Sequence, residues 1–209
     1  MRIAVSAVVL AVVLLASPAA AQQRQFGFKV GPSWVAVAID DADDEGIDYE
    51  RRVVGTFGGF ALFPMHDRLA AQIELLWSPR GGKLADIEGA SLKLKLEYAE
   101  VPLLARVAVT RSTSGSFFIF GGVAPAFRTS AKFETSFTGG GMTSGDSIHV
   151  GADFERFDIG IIVGAGMDIG QWIVVDGRYN WGLLDVNRNP DVTASIKNRA
   201  LTFMAGVRF

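Results

Sequence analysis

Few residues in this sequence are placed to do chemistry, and each has a solvated alternative. His66 stands beside Asp67 in a short stretch after Pro64. A histidine base needs a nucleophile within hydrogen-bond reach, and no serine is close to it in the expected topology. Ser147 and His149 are two apart, so on an extended segment they point the same way. With Asp146 or Asp153 as the orienting carboxylate they could serve an enzyme of outer-leaflet lipids, the weakest of the three functional readings. Between positions 40 and 50 lie Asp40, Asp41, Asp43, Asp44, Glu45, Asp48 and Glu50. Asp41, Asp43, Glu45 and Gly46 fit the first positions of a calcium loop, but Arg52 stands where its bidentate glutamate belongs. That stretch reads as a solvated acidic loop, with weak divalent-cation binding as the alternative. No catalytic, cofactor or metal site is assigned.

The other ionic residues, Glu74, Arg106, Arg128, Asp158, Asp168, Asp176, Arg178 and Arg208, fall among alternating apolar residues. From Phe157 the odd positions Phe157, Ile159, Ile161, Val163, Ala165, Met167 and Ile169 are apolar, and the even ones include Asp158, Gly160, Gly164, Gly166 and Asp168. Ile173, Val175, Gly177, Tyr179 and Trp181 alternate likewise with Asp176, Arg178 and Asn180, and Leu201 to Phe209 repeats the pattern. A period of two describes a strand with unlike faces. The runs match the ~9–11 residues of a tilted membrane-crossing strand rather than the ~5–6 usual in soluble domains. A bulky apolar face opposite one of glycine and mixed charge suits a lipid-facing exterior around a filled lumen. Unpaired charge there is costly, so the inward set is expected to form a salt-bridged plug; a narrow ion path is the alternative.

Gln25–Val37, Val53–Phe63, Ser91–Val109 and Ser116–Lys132 complete eight strands with the runs from Leu69, Phe157, Ile173 and Leu201. In Ser91–Val109 the apolar parity switches from Leu92, Leu94, Leu96 and Tyr98 to Val101, Leu103, Ala105 and Val107. That switch predicts a β-bulge near Ala99-Glu100. Positions 39–52, 79–90, 133–153 and 183–197 are long connections, and 64–67, 110–115 and 170–171 are short ones. Strict alternation of long and short, with an even strand number, is the pattern of outer-membrane barrels. The expected fold is all-β, a closed antiparallel eight-stranded transmembrane up-and-down barrel with both termini on the periplasmic side. Trp77, Tyr98, Tyr179 and Trp181 would girdle one rim, and Phe63, Trp172 and Phe209 the other. Gly139-Gly140-Gly141 among Ser and Thr reads as a flexible external segment. A soluble lipocalin-like barrel is the non-membrane rival and predicts an apolar cavity.

Residues 1–21 have the layout of a secretory signal peptide: Arg2, the apolar run Ile3–Ala16, and Ser17-Pro18-Ala19-Ala20-Ala21 before cleavage. The barrel domain is then expected over 22–209. Zero cysteines rules out disulfides and thiolate sites, and a net charge of -2 without a basic face argues against nucleic acid as a partner.

Leu62-Phe63-Pro64, Gln72-Ile73-Glu74-Leu75-Leu76-Trp77 with Gly81-Gly82, and Tyr98-Ala99-Glu100-Val101-Pro102-Leu103-Leu104 resemble motifs of the outer-membrane β-barrel domain family that includes PorT-like proteins. Asp158-Ile159-Gly160, Arg178-Tyr179-Asn180-Trp181-Gly182-Leu183 and Gly206-Val207-Arg208-Phe209 resemble its later strands. The resemblance implies a non-enzymatic barrel in the cell outer membrane. Its partners would be outer-membrane lipid and lipopolysaccharide, the barrel insertion machinery that reads a C-terminal aromatic, and an extracellular or secretion partner. A small pore is the second reading.

Overall fold

A computed structural model describes residues 24–40, 49–84, 90–112, 115–139, 142–149, 155–186 and 195–209. The expected signal peptide and most of the acidic loop lie outside the described residues. Twelve strand segments form one sheet, and they make eight crossings. These are β1 (Gln25–Asp40), β2 (Arg52–Pro64) and β3 (Leu69–Arg80), then β4 in two pieces (Ala90–Glu100 and Leu103–Ser112). They continue as β5 (Gly115–Gly139), β6 in two pieces (Met142–His149 and Phe157–Ile169), β7 (Ile173–Gly182) and β8 (Ser195–Arg208). The two-residue segments Tyr49–Glu50 and Lys83–Leu84 pair with each other beyond the ends of β2 and β3.

Every strand pairs antiparallel with its sequence neighbours, and β1 pairs with β8 from Gly27↔Arg208 to Asp40↔Ser195, which closes the barrel. Backbone bonds between Phe26 and Phe209 in both directions, 3.1 and 2.8 Å, finish that seam. Among the described residues of the apolar band closure leaves no unpaired edge, as a sheet in lipid requires; beyond the band Met142–His149 pairs only with β5. Among the described residues no helix is long and apolar enough to cross a membrane. The turns after Pro64 and Ile169 are short; Met65 and His66 both donate backbone N–H to the Leu69 carbonyl, and Gly170 takes φ +61°.

Two expectations are corrected. No bulge interrupts β4 at Ala99-Glu100. Its register with β3 is unbroken from Arg80↔Leu96 to Leu69↔Val107, with Pro102 accepting from Glu74 N–H at 3.0 Å. The irregularity lies on the neighbouring strand, where Thr129 is left without a partner between Glu97↔Ser130 and Tyr98↔Arg128. Its hydroxyl donates to the Glu97 carbonyl at 3.1 Å. The apolar parity of β4 switches because its surroundings change, as described below. Second, positions 133–149 do not form an open loop: β5 runs out to Gly139 and returns at Met142 in register, from Lys132↔His149 to Gly139↔Met142. Thr- and Phe-rich sequence favours such pairing, and it satisfies backbone groups that a loop would leave to water.

Candidate functional site

Inward and outward faces carry opposite chemistry along most of the barrel. Phe28, Val30, Phe57, Leu75, Leu103, Ile119, Val163, Phe203 and Val207 are exposed on the outside. Lys29, Gln72, Glu74, Arg80, Glu100, Arg106, Asp158, Asp168, Asp176, Arg178, Asn180 and Asn198 are buried within. The closed backbone forces these groups together, and they sort into three tiers along the axis.

Nearest the short turns, Arg106 pairs with Asp168, which also accepts from the Ser116 hydroxyl at 2.7 Å and pairs with Arg208 at 3.0 Å. At mid-height Glu74 lies 2.6 Å from Lys29 and 2.6 Å from Arg178. Asp176 meets the same two cations at 3.1 and 2.8 Å, and Gln72 donates to Glu74. Toward the long loops Arg80 bridges Glu100 at 2.5 Å and Asp158 at 3.0 Å. There Asn180 donates to Glu100 and Asn198 to Asp158, each at 2.9 Å. An isolated ion in such a setting costs several kcal/mol, so mutual pairing is the condition on which these residues are tolerated.

Aromatic rings fill the space that the ions leave. Arg106 lies 3.4 Å over Phe118, Arg178 5.0 Å over Phe120, Lys29 5.4 Å over Phe60 and Arg80 5.1 Å over Tyr98. Each contact adds cation–π attraction to the ion pairs. Room for two of the rings comes from glycine on β6: a Cβ at Gly164 would sit 2.4 Å from the Phe120 ring, and one at Gly166 2.4 Å from Phe118. Glycines on the polar face are therefore spacers for inward phenylalanines, which explains why β5 carries aromatics on both parities.

Of the expected inward set, Glu74, Arg106, Asp158, Asp168, Asp176, Arg178 and Arg208 join these tiers; Arg128 is half-buried beside the Thr129 irregularity. Arg80 and Glu100 were not foreseen, although Glu100 shares parity with Arg106, and Lys29 sits between two inward glycines. Tyr98, expected in the outer girdle, is instead buried inside; Trp77, Tyr179, Trp181, Phe63, Trp172 and Phe209 lie outside as expected. His66 is an exposed turn residue. Ser147 and His149 lie on the β6 backbone opposite Glu134 and Lys132, with their side chains outside the described residues. Among the described residues no group of three or more His, Asp or Glu could hold a metal ion. The lumen at mid-height is ionic, unlike the apolar cavity of the soluble rival.

At its long-loop end the barrel continues past the apolar band. Leu94, Leu96, Tyr98, Ala126, Ala131 and Val186 form a second core there, while Lys95 pairs on the outside with Glu134. Val186 is delivered by the segment after β7, whose carbonyl accepts from Glu155 N–H at 3.0 Å.

None of the curated proteins matches this sequence. Among solved structures, the attachment invasion locus protein Ail of Yersinia pestis is similar at TM-score 0.46 and 14% identity, over 90% of this chain and 100% of that one. Neisserial surface protein A gives 0.47 and 11%, over 90% and 100%. OprG, an outer membrane protein of Pseudomonas aeruginosa, gives 0.47 and 12%, over 88% and 95%. Residues 20–188, most of the chain, match the family model described as outer membrane protein beta-barrel domain, and the chain belongs to that family.

Proposed function

We propose that this outer-membrane barrel is a non-catalytic, non-conducting protein whose structural or interaction role is exercised at its long-loop end. The observation that carries this reading is the Lys29–Glu74–Arg178–Asp176 cluster, in which no side chain is more than 3% exposed. An ion crossing the lumen has to break pairs whose separation leaves uncompensated buried charge. In an eight-stranded barrel there is little width to route around them. On the outside, the strands project beyond the apolar band and present charged residues to solvent, as a contact surface needs. By the rule that such barrels place short turns in the periplasm, this end faces outward.

Insertion of the purified protein into planar lipid bilayers tests the reading. A silent bilayer is expected; reproducible single-channel steps would overturn it and favour the pore. The secretion-accessory role rests on motif resemblance to PorT-like proteins, and the test for it is whether deleting the gene leaves secreted cargo in the periplasm. The same reading includes export by a cleaved leader, 1–21, which the layout around Ala21 supports. N-terminal sequencing of the membrane form should begin at Gln22.

A further inference from the structure

The rim of the apolar band at the long-loop end holds two arginines that the lumen does not use. On the outer face Arg51, Ala36 and Arg199 fall in one row. Ala36 pairs with Arg199 across the β1–β8 seam, and Arg51, just before the last β1–β2 pair Val35↔Arg52, lines the same cavity as both. Strands lie about 4.8 Å apart, so the two arginine backbones stand roughly 10 Å apart with only a methyl group between them. Both arginines, with Trp34, Tyr179 and Leu201, line a cavity of about 350 Å³. No described side chain forms an ion pair or hydrogen bond with either guanidinium; the side chain of the adjacent Glu50 lies outside those described. The neighbouring cations are engaged: Lys197, two residues before Arg199, has a partner of its own, and Arg52 donates to the Leu94 carbonyl at 3.4 Å.

Below this row, toward the middle of the band, the wall turns aromatic. Trp34 meets Phe203 edge-on at 5.8 Å, and Tyr179 packs at 4.3 Å on Trp181, which stands opposite Arg199 in the row itself. Trp34, Leu201 and Phe203 are 36, 38 and 50% exposed. Two guanidinium forks are suited to bidentate contact with phosphate oxygens. Amphipathic rings belong at headgroup depth, with apolar wall beneath for acyl chains. We propose that Arg51 and Arg199 clamp the phosphate of a phosphorylated outer-leaflet lipid, whose sugar or glycerol lies over Trp34 and Tyr179 and whose chains follow Leu201 and Phe203. A free inorganic anion would make no use of the apolar shelf. The inference rests on the membrane reading above and gives it one specific lipid contact.

The test uses the full chain expressed in a bacterium, extracted from the outer-membrane fraction in detergent and titrated with diphosphorylated lipid A under native mass spectrometry. One bound lipid per barrel is expected, with at least tenfold weaker binding in the R51Q/R199Q double variant and partial recovery in R51K/R199K. Lipid A stripped of phosphate should bind the wild type no better than phosphorylated lipid A binds the glutamine variant. Equal binding by wild type and the glutamine variant, or of phosphorylated and stripped lipid, overturns the site. Full competition by millimolar inorganic phosphate does so too, leaving a simple anion site. All three proteins should run faster unheated than boiled on a denaturing gel. If the wild type does so and the lipid results fail, the membrane reading stands and only the clamp falls. If the wild type is absent from the membrane fraction, both fall.

Discussion

Along β4 the even-numbered side chains stay inside from Leu94 to Arg106, yet what they are made of reverses halfway. On the long-loop side Leu94, Leu96 and Tyr98 are inside and Lys93, Lys95 and Glu97 outside; from Glu100 onward Glu100 and Arg106 are inside with Leu104 between them, and Val101, Leu103 and Ala105 are outside. With no bulge between Leu94 and Arg106, one strand thus obeys the burial rule of a soluble protein at one end and of a membrane protein at the other. The solvent, not the backbone, decides which face is apolar. Water outside drives leucines in, while lipid outside leaves the polar residues no refuge except one another. The change falls between Tyr98 and Val101, which places the rim of the apolar band on this strand.

Five substitutions test that contrast. Glu74→Ala leaves Lys29 and Arg178 facing only Asp176, and should cost about 4 kcal/mol as a broken buried ion network. Urea unfolding in vesicles would read it; an unchanged midpoint would mean that water already screens the lumen. Leu103→Lys, on the outer face of the band, should cost about 3 kcal/mol in the same assay, within the range for a lysine near the bilayer midplane. Glu97→Lys, further out on the same strand and face, should be nearly neutral, and similar losses at both positions would erase the proposed rim. Leu96→Ala opens a cavity in the outer core and should cost about 2 kcal/mol, at the lower end for leucine truncation because this end can relax. Amide exchange should show it as faster opening of the Ala90–Glu100 segment with β7 and β8 unaffected. Lys95→Ala removes a pair whose side chains are 34 and 35% exposed. The expected loss is under about 1 kcal/mol, and it should shrink further in high salt.

The contrast also explains what could be read from the sequence and what could not. Strand number, closure and the ionic interior were legible because the runs at Phe157, Ile173 and Leu201 lie almost wholly in the membrane band, where parity and polarity agree. Ser91–Val109 crosses from one medium to the other. There the polarity switch imitates a bulge, and parity read through such a bulge points Tyr98 outward and leaves Glu100 out of the inward set. Arg80 falls within the expected 79–90 connection because β3 also outruns the band. Ser116–Lys132 carries aromatics on both parities for another reason: Phe118 and Phe120 point inward into space opened by Gly164 and Gly166 on the next strand, a pairing that no local pattern reveals. The grouping of Arg51, Ala36 and Arg199 is of the same kind, assembled from two strands and the residue just before a third.

The seam that closes the barrel has a kinetic meaning. Because β1 hydrogen-bonds to β8, the first described strand cannot acquire its second neighbour until the last one arrives. Until then two strand edges are open, and the charges of Lys29 and Asp176, which belong to opposite margins of the unclosed sheet, cannot meet. An order of assembly follows from this. Zipping from hairpin to hairpin is local and quick, whereas the final joining brings together the most distant parts of the chain and bears the greatest loss of chain entropy. The interval before that joining is when the half-built sheet is most open to pairing with another copy of itself, and a chaperone holding the β1 and β8 edges apart would protect it at that stage.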